Sequence, residues 1–96
     1  MDREIVHDVA ARSFHLHDGG EVVSLADYRL AQAAGGPVMV FHHTYTKPRH
    51  RGNGYAERVV RAGLEEARAR SAKVVPTCWF VDEYMGLHPE YADLRA

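Results

Sequence analysis

The hydrophobic pattern of this 96-residue chain changes period once, at Gly54, and that switch limits the fold more than any other feature. Before it, apolar residues come in short β-rich runs broken by glycine turns. After it, Ala56, Val59, Val60, Gly63, Leu64 and Ala67 recur at the i, i+3, i+4, i+7 spacing of a helix. Glu57, Arg58, Arg61, Glu65, Glu66 and Arg68 take the other side, which reads as a solvated face on an amphipathic helix of about 16 residues. Such a stripe must bury itself against a second layer, and the preceding segments offer a sheet.

Two strands, Ser13–His17 and Glu21–Leu30, flank Asp18-Gly19-Gly20, a turn that joins antiparallel partners. In the second, Val23, Leu25 and Asp27 alternate with Val22, Ser24, Ala26 and Tyr28, so both faces are apolar and the strand is expected to be central. Ala33-Ala34-Gly35-Gly36 is a further turn, and Pro37–Thr46 resumes β character with Val, Phe, Thr and Tyr. Beyond the helix, Lys73–Trp79 reads as a strand that Pro76 confines to an edge, or to having its free side there, because proline has no N–H for the ladder. A shorter helix over Phe80–Leu87 carries Asp82 and Glu83 in its first turn and is stopped by His88-Pro89. The expected order is β-β-β-α-β-α, an α+β fold with a mostly antiparallel sheet in one domain, residues 1–96. A chain this short buries roughly 60–65% of its unfolded surface, enough for one core and no interdomain cleft.

Apolar runs such as Val38–Phe41 fall far short of the roughly 20 residues that cross a bilayer, so no membrane partner is expected. The mixed charges of Met1-Asp2-Arg3-Glu4 lack a leader pattern, and a single cysteine forbids an internal disulfide and a multi-cysteine zinc site. Both point to a cytoplasmic chain. His15, His17, His50 and His42 or His43 show no helical metal-ligand spacing and no carboxylate companion, so no metal is expected. A net charge of −1 removes the bulk case for nucleic acid, yet the cations are skewed, 10 Arg against 2 Lys, with Lys47, Arg49 and Arg51 close together. Arginine suits bidentate contact with phosphate.

Those cations lead into Arg49-His50-Arg51-Gly52-Asn53-Gly54, between a strand and the strong helix. Two glycines in three residues allow positive φ and close backbone approach, and the helix start offers unsatisfied N–H groups. The loop can therefore seat an anion. It is neither a P-loop, lacking Lys-Ser/Thr after the glycines, nor the dinucleotide fingerprint, lacking the third glycine. A plain strand-to-helix turn is the competing explanation.

Arg49-x-x-Gly52-x-Gly54 resembles the (Gln/Arg)-x-x-Gly-x-(Gly/Ala) motif of the GCN5-related N-acetyltransferases. The resemblance extends to the short stand-alone branch through His43-Thr44, Pro48, Arg51-Gly52-Asn53-Gly54-Tyr55-Ala56, Pro76-Thr77-Cys78, Tyr84 and His88-Pro89-Glu90-Tyr91. It implies a compact acetyltransferase fold without the N-terminal helices of larger members. It further implies acetyl-CoA as co-substrate, its pyrophosphate on the N–H groups of Arg51–Tyr55 and its pantetheine along the strand at His43, Thr44 and Tyr45, in a splay beside Val74–Cys78. The acceptor would be an amine, on a small molecule or a protein lysine or N-terminus.

Three residues are candidates for the chemistry. Tyr84 corresponds to a tyrosine that protonates the departing thiolate in larger members; otherwise it is a core tyrosine. Cys78, between a strand and a helix N-terminus, is either an acyl-accepting nucleophile, a wall of the pantetheine channel or a small buried hydrophobe. His43 can relay the amine proton, or be a sheet histidine. Where relatives carry Glu after His-Thr, this chain has Tyr45, which leaves its general base open. Trp79 and Tyr91 read as packing residues. Two rival functions accompany the acetyltransferase: an acyl-CoA-binding or protein-interaction module with little catalysis, and a small nucleic-acid binder using Lys47, Arg49 and Arg51, which has only Tyr45 and Tyr55 as a stacking platform. Monomer and homodimer are equally compatible with the sequence.

Overall fold

A computed structural model describes residues 3–96. Its strands are β1 (Arg3–Asp8), β2 (Ser13–Asp18), β3 (Glu21–Ala33), β4 (Gly36–Thr46) and β5 (Lys73–Pro76), its helices α1 (Tyr55–Ala69) and α2 (Trp79–Leu87), and a 3-10 segment, Pro89–Leu94, follows. The five strands form one sheet in sequence order, antiparallel from β1 to β4 and parallel between β4 and β5. The α+β class and the mostly antiparallel sheet are as expected. The addition is β1, whose Ile5-Val6 pair between charged residues is too brief for an alternating signal. It closes on β2 through a turn in which Asp8 Oδ1 accepts the Ala11 N–H at 3.0 Å.

Two bulges reset the faces of the central strands. Leu16 pairs with Ser24 and His17 with Val22, so Val23 is the extra residue on β3. It turns inward and is 1% exposed, joining Ser24, Ala26 and Tyr28 rather than Leu25 and Asp27 as strict alternation suggested. Asp27 pairs with His43 and Tyr28 with Phe41, which leaves His42 as the extra residue on β4. Bulges bend the strand and re-aim the side chains beyond them.

The core lies between one face of the sheet and the two helices. Phe14, Leu16, Met39, Phe41 and Val74 from the strands meet Val59, Val60, Leu64 and Ala67 of α1 and Val81 and Met85 of α2. Each fully buried aliphatic side chain contributes roughly 1.5–3 kcal/mol. The stripe on α1 is as the spacing predicts, with Tyr55 added and Ala56 only half-buried. At Gly63 helix and sheet approach closely: a Cβ there would stand 2.6 Å from Phe41 Cε1. The Pro89–Leu94 segment folds back on α1, where Arg68 bonds Asp93 at 2.9 Å and the Tyr91 hydroxyl donates to Glu65 at 2.6 Å. Burial, reinforced by that bond to Glu65, pushes the Tyr91 phenol up to about 12.

β5 stops at Pro76, three residues short of the predicted Trp79 end. Its outer side meets the C-terminus, where the Ala96 N–H bonds the Val74 carbonyl at 3.0 Å. Among the described residues, no helix is long and apolar enough to cross a membrane.

Candidate functional site

The parallel ladder between β4 and β5 ends at the pair Phe41–Pro76. There one carbonyl, that of Phe41, takes the N–H groups of Thr77 and Cys78, both at 3.1 Å, and the chain swings away into α2. β4 runs on to Thr46 paired only with β3, so from residue 42 to 46 its other edge has no strand partner. Proline at the end of β5 makes this divergence, since it cannot donate to continue the ladder. Two residues line the gap within hydrogen-bonding range of each other: the Thr44 hydroxyl and the Cys78 thiol are 3.6 Å apart. Thr44 pairs with Ala26 and so shares the core face, whereas His43 and Tyr45 point to the other face of the sheet.

At the far end of β4, a 3-10 turn at Pro48–His50 leads into Gly52 at φ 86° and Gly54 at φ 76°. Both values lie in the left-handed region that glycine enters without steric cost. Asn53 Nδ2 donates to the His50 carbonyl at 3.0 Å and closes the loop. Gly54 is the N-cap of α1 and supplies no side-chain acceptor, so the first N–H groups of the helix are uncapped and carry the positive end of its dipole.

A groove joins these two features. Its first part, a cavity of about 300 Å³, is lined by Thr46, His50, Gly52, Gly54, Tyr55 and Glu57, among others. Its second part, about 370 Å³, is lined by Thr44, Tyr45 and Trp79, and both parts share Thr46, Arg51, Ala56 and Phe80. A third cavity of about 180 Å³ continues from Glu57 and Phe80 to Glu83, Tyr84, Leu87 and His88. Phe80 touches all three. His50 Nε2 is buried and finds no hydrogen-bond partner among the described residues. The groove thus runs from an array of backbone donors to a free strand edge beside a thiol.

The sequence-predicted residues divide accordingly. Arg51, Gly52, Gly54 and Tyr55 line the glycine-loop end, and Thr44 and Tyr45 the other; Asn53 supports the loop from within. Arg51 bridges the two, its Nε donating to the Thr46 carbonyl at 2.9 Å and its guanidinium lying 5.9 Å above the Tyr45 ring. Arg49 is directed elsewhere: with Lys47 it binds Glu21, at 2.9 and 2.7 Å. The Lys47 ammonium, with Arg49 beside it, holds the Glu21 carboxyl below its usual range. The basic cluster is therefore partly neutralised within the fold. Tyr84 lies in the third cavity and not in the one beside Cys78. Its ring stacks on His88 at 3.9 Å, and the Nδ1–H of His88 donates to the Tyr84 carbonyl at 2.7 Å. Burial pushes its phenol up, so it stays protonated at neutral pH. Among the described residues no cluster of His, Cys, Asp or Glu is arranged to hold a metal.

Sequence reasoning missed Phe80 as the shared wall and Glu57 as the acid at the glycine-loop end. An acidic residue in a helix's first turn has the ordinary signature of a dipole partner, so nothing marked Glu57. Trp79 contradicts its expected packing role outright. At the first position of α2 it is 73% exposed, whereas Tyr91 is buried as expected, at 2%.

Residues 13–94 match the family model described as GCN5-related N-acetyl-transferase. No curated protein matches the chain. Among solved structures, a GCN5-like protein from Staphylococcus aureus aligns over 97% of this chain and 87% of its own, with 20% identity and a TM-score of 0.67. A ribosomal-protein-alanine N-acetyltransferase from Brucella melitensis biovar Abortus 2308 aligns over 67% of this chain at 20% identity and a TM-score of 0.62. The match covers 45% of that enzyme, so the chain spans less than half its length. An aminoglycoside N-acetyltransferase in complex with CoA aligns over 82% of this chain and 57% of its own, with 17% identity and a TM-score of 0.57.

Proposed function

The chain belongs to the GCN5-related N-acetyl-transferase family, and on that premise we propose that it transfers an acetyl group from acetyl-CoA to an amine. The observation that carries this reading is the groove's two-ended construction. One end presents uncapped helix N–H groups, two positive-φ glycines and an orphaned buried His50 Nε2. These fit a pyrophosphate, which needs many donors and no side chains in the way. The other end presents the unpaired edge of β4, which fits the amide groups of a pantetheine arm as a further strand would.

In the reaction the neutral amine attacks the thioester carbonyl, a C–N bond forms, the C–S bond breaks, and the thiolate gains the proton that the nitrogen loses. N–H groups on the free edge of β4 polarise the carbonyl. Tyr84, held protonated by burial, is the proposed proton donor to the thiolate. His43, on the opposite face of the sheet, is the proposed base for an amine arriving from that side. Cys78 either lines the channel or accepts the acetyl group first, assisted by the Thr44 hydroxyl. In the first case one amide forms directly; in the second, Cys78 sulfur takes the acetyl group as CoA leaves as its thiol, and the amine then attacks that thioester, forming the amide and releasing the Cys78 thiol.

Calorimetry with acetyl-CoA tests the reading. Binding is expected, and Gly54→Asp is expected to weaken it more than tenfold, since a side chain at φ 76° is strained and its charge repels phosphate. Normal binding by that variant would remove the loop from the mechanism. Mass spectrometry after incubation with acetyl-CoA separates the two routes by the presence or absence of acetylated Cys78.

A module that holds acyl-CoA with little turnover is the second reading. Neither Tyr84 nor His43 lines the cavity beside Cys78, which favours it. Turnover above the blank across an amine panel, lost in Tyr84→Phe or Cys78→Ala, would eliminate it.

A further inference from the structure

Among the described residues, His50 Nε2 is the one buried side-chain nitrogen or oxygen without a hydrogen-bond partner. Buried polar groups are nearly always satisfied, so an exception in the wall of a cavity asks for an outside partner. The residue itself is held firmly. Its N–H bonds the Lys47 carbonyl at 2.8 Å, and its own carbonyl accepts Asn53 Nδ2 at 3.0 Å. The backbone is thus pinned on both sides, while the ring forms part of the wall of the glycine-loop cavity, 6.3 Å from the Tyr55 ring.

The groups around the ring explain why the fold leaves that nitrogen unmet. Glu21 on β3 feels the histidine's charge, but Lys47 holds its carboxylate at 2.7 Å and Arg49 reaches both oxygens, at 2.9 and 3.2 Å. Arg51, in the loop, spends its Nε on the Thr46 carbonyl. From α1, Glu57 and Tyr55 line the same cavity without bonding the ring, and α2 contributes the uncharged Phe80. Three cations therefore stand against two acids, and the ring has no anion of its own.

Resting on the acetyl-transfer reading, we propose that His50 is a ligand to the pyrophosphate of CoA and takes up a proton as it binds, so that the acyl donor is held more tightly as pH falls. A neutral imidazole donates through one nitrogen only. Once solvent supplies a proton to the other, both donate, and the bond to a phosphate oxygen becomes charge-assisted. The backbone N–H groups at the start of α1 hold the pyrophosphate independently of pH, and His50 adds the part that titrates. By linkage, the slope of log affinity against pH is minus the number of protons taken up.

Dephospho-CoA is the probe, because its pyrophosphate has no group that titrates near neutrality, whereas the 3′-phosphate of CoA does. Calorimetry near pH 7 in buffers of different ionisation enthalpy should show uptake of about 0.3–0.8 proton per ligand. Affinity should rise about two- to sixfold for each unit that pH falls. His50→Gln keeps a neutral donor and has no titrating ring, so uptake should vanish and affinity should be flat between about pH 6 and 8. His50→Asn is a second non-titrating variant should the first not fold. Binding without uptake, uptake unchanged in these variants, or uptake with CoA but not with dephospho-CoA would each overturn the assignment and leave the transferase reading standing. If neither dephospho-CoA nor acetyl-CoA binds, the transferase reading falls and takes the assignment with it.

Discussion

His7 shows burial setting the chemistry of one side chain. Its ring lies 4.1 Å from Phe14, nearly parallel, and its Nε2 is 2.7 Å from the Tyr28 hydroxyl. Burial lowers its pKa below the ordinary 6.5; Glu66 and Asp8 pull upward and Arg70 downward by smaller amounts. The unfolded chain therefore binds this proton more readily than the folded one, and stability rises with pH through that window. The contribution is complete above about pH 6.5 and is lost as pH falls through 6.5 towards the lower folded value. Urea midpoints should drop between pH 6.5 and 5 by more in the native chain than in His7→Phe; identical pH profiles would refute this. Glu57 makes the second case at this scale. Its exposed carboxylate lines the glycine-loop end of the groove, where the proposed pyrophosphate would lie, so Glu57→Gln should tighten CoA binding about twofold at low salt, an advantage that fades as salt screens it. Unchanged affinity at low ionic strength would show that Glu57 turns away from the phosphate.

Among the elements, α1 is seated with little tolerance at Gly63. A methyl at Gly63 would press on Phe41 at 2.6 and 2.8 Å, and Phe41 is 1% exposed and ringed by Phe14 and Tyr28. Alanine for glycine within a helix ordinarily gains about 0.5–1 kcal/mol, but overpacking a core costs roughly 1–3. The net loss for Gly63→Ala should be about 1 kcal/mol, seen as a fall of about 4–8 °C in Tm. A rise in Tm would mean that the helix can slide outward. This helix was also the most legible element, because a 3.6-residue period over four turns has no strand equivalent and glycines mark its start. The register of the strands was less so. That Val23 faces the core, and that His42 falls out of the β3–β4 ladder, depends on bulges opposite Leu16–His17 and Asp27–Tyr28, which are properties of paired strands and not of either alone. Strand β1 escaped for a related reason: its apolar residues are too few to signal without β2 beside them.

At the scale of the molecule, the groove lies along the line where β4, α1 and α2 meet, so a ligand in it ties sheet and helices together. Saturating acetyl-CoA at about 100 times Kd adds roughly 2.7 kcal/mol to stability, which for a domain of this size raises Tm on the order of 10 °C. Differential scanning calorimetry should show that shift in the native chain and little of it in Gly54→Asp; equal shifts would place the ligand away from the loop.

By itself the sequence determined the local and periodic features: the α+β class, the amphipathic helix, the glycine loop that opens it, and the proline that ends a strand at the edge. Each follows from spacing or from a residue's own backbone preferences, which need no partner. Only the tertiary structure decided which side chains share a space. It placed Thr44 against Cys78, turned Arg49 towards Glu21, set Tyr84 in the cavity beyond Phe80, and left Trp79 in water at the groove's mouth. Those outcomes depend on where strands part, where bulges fall and which charges meet across the fold, and such distances between remote residues exist only once the chain has packed.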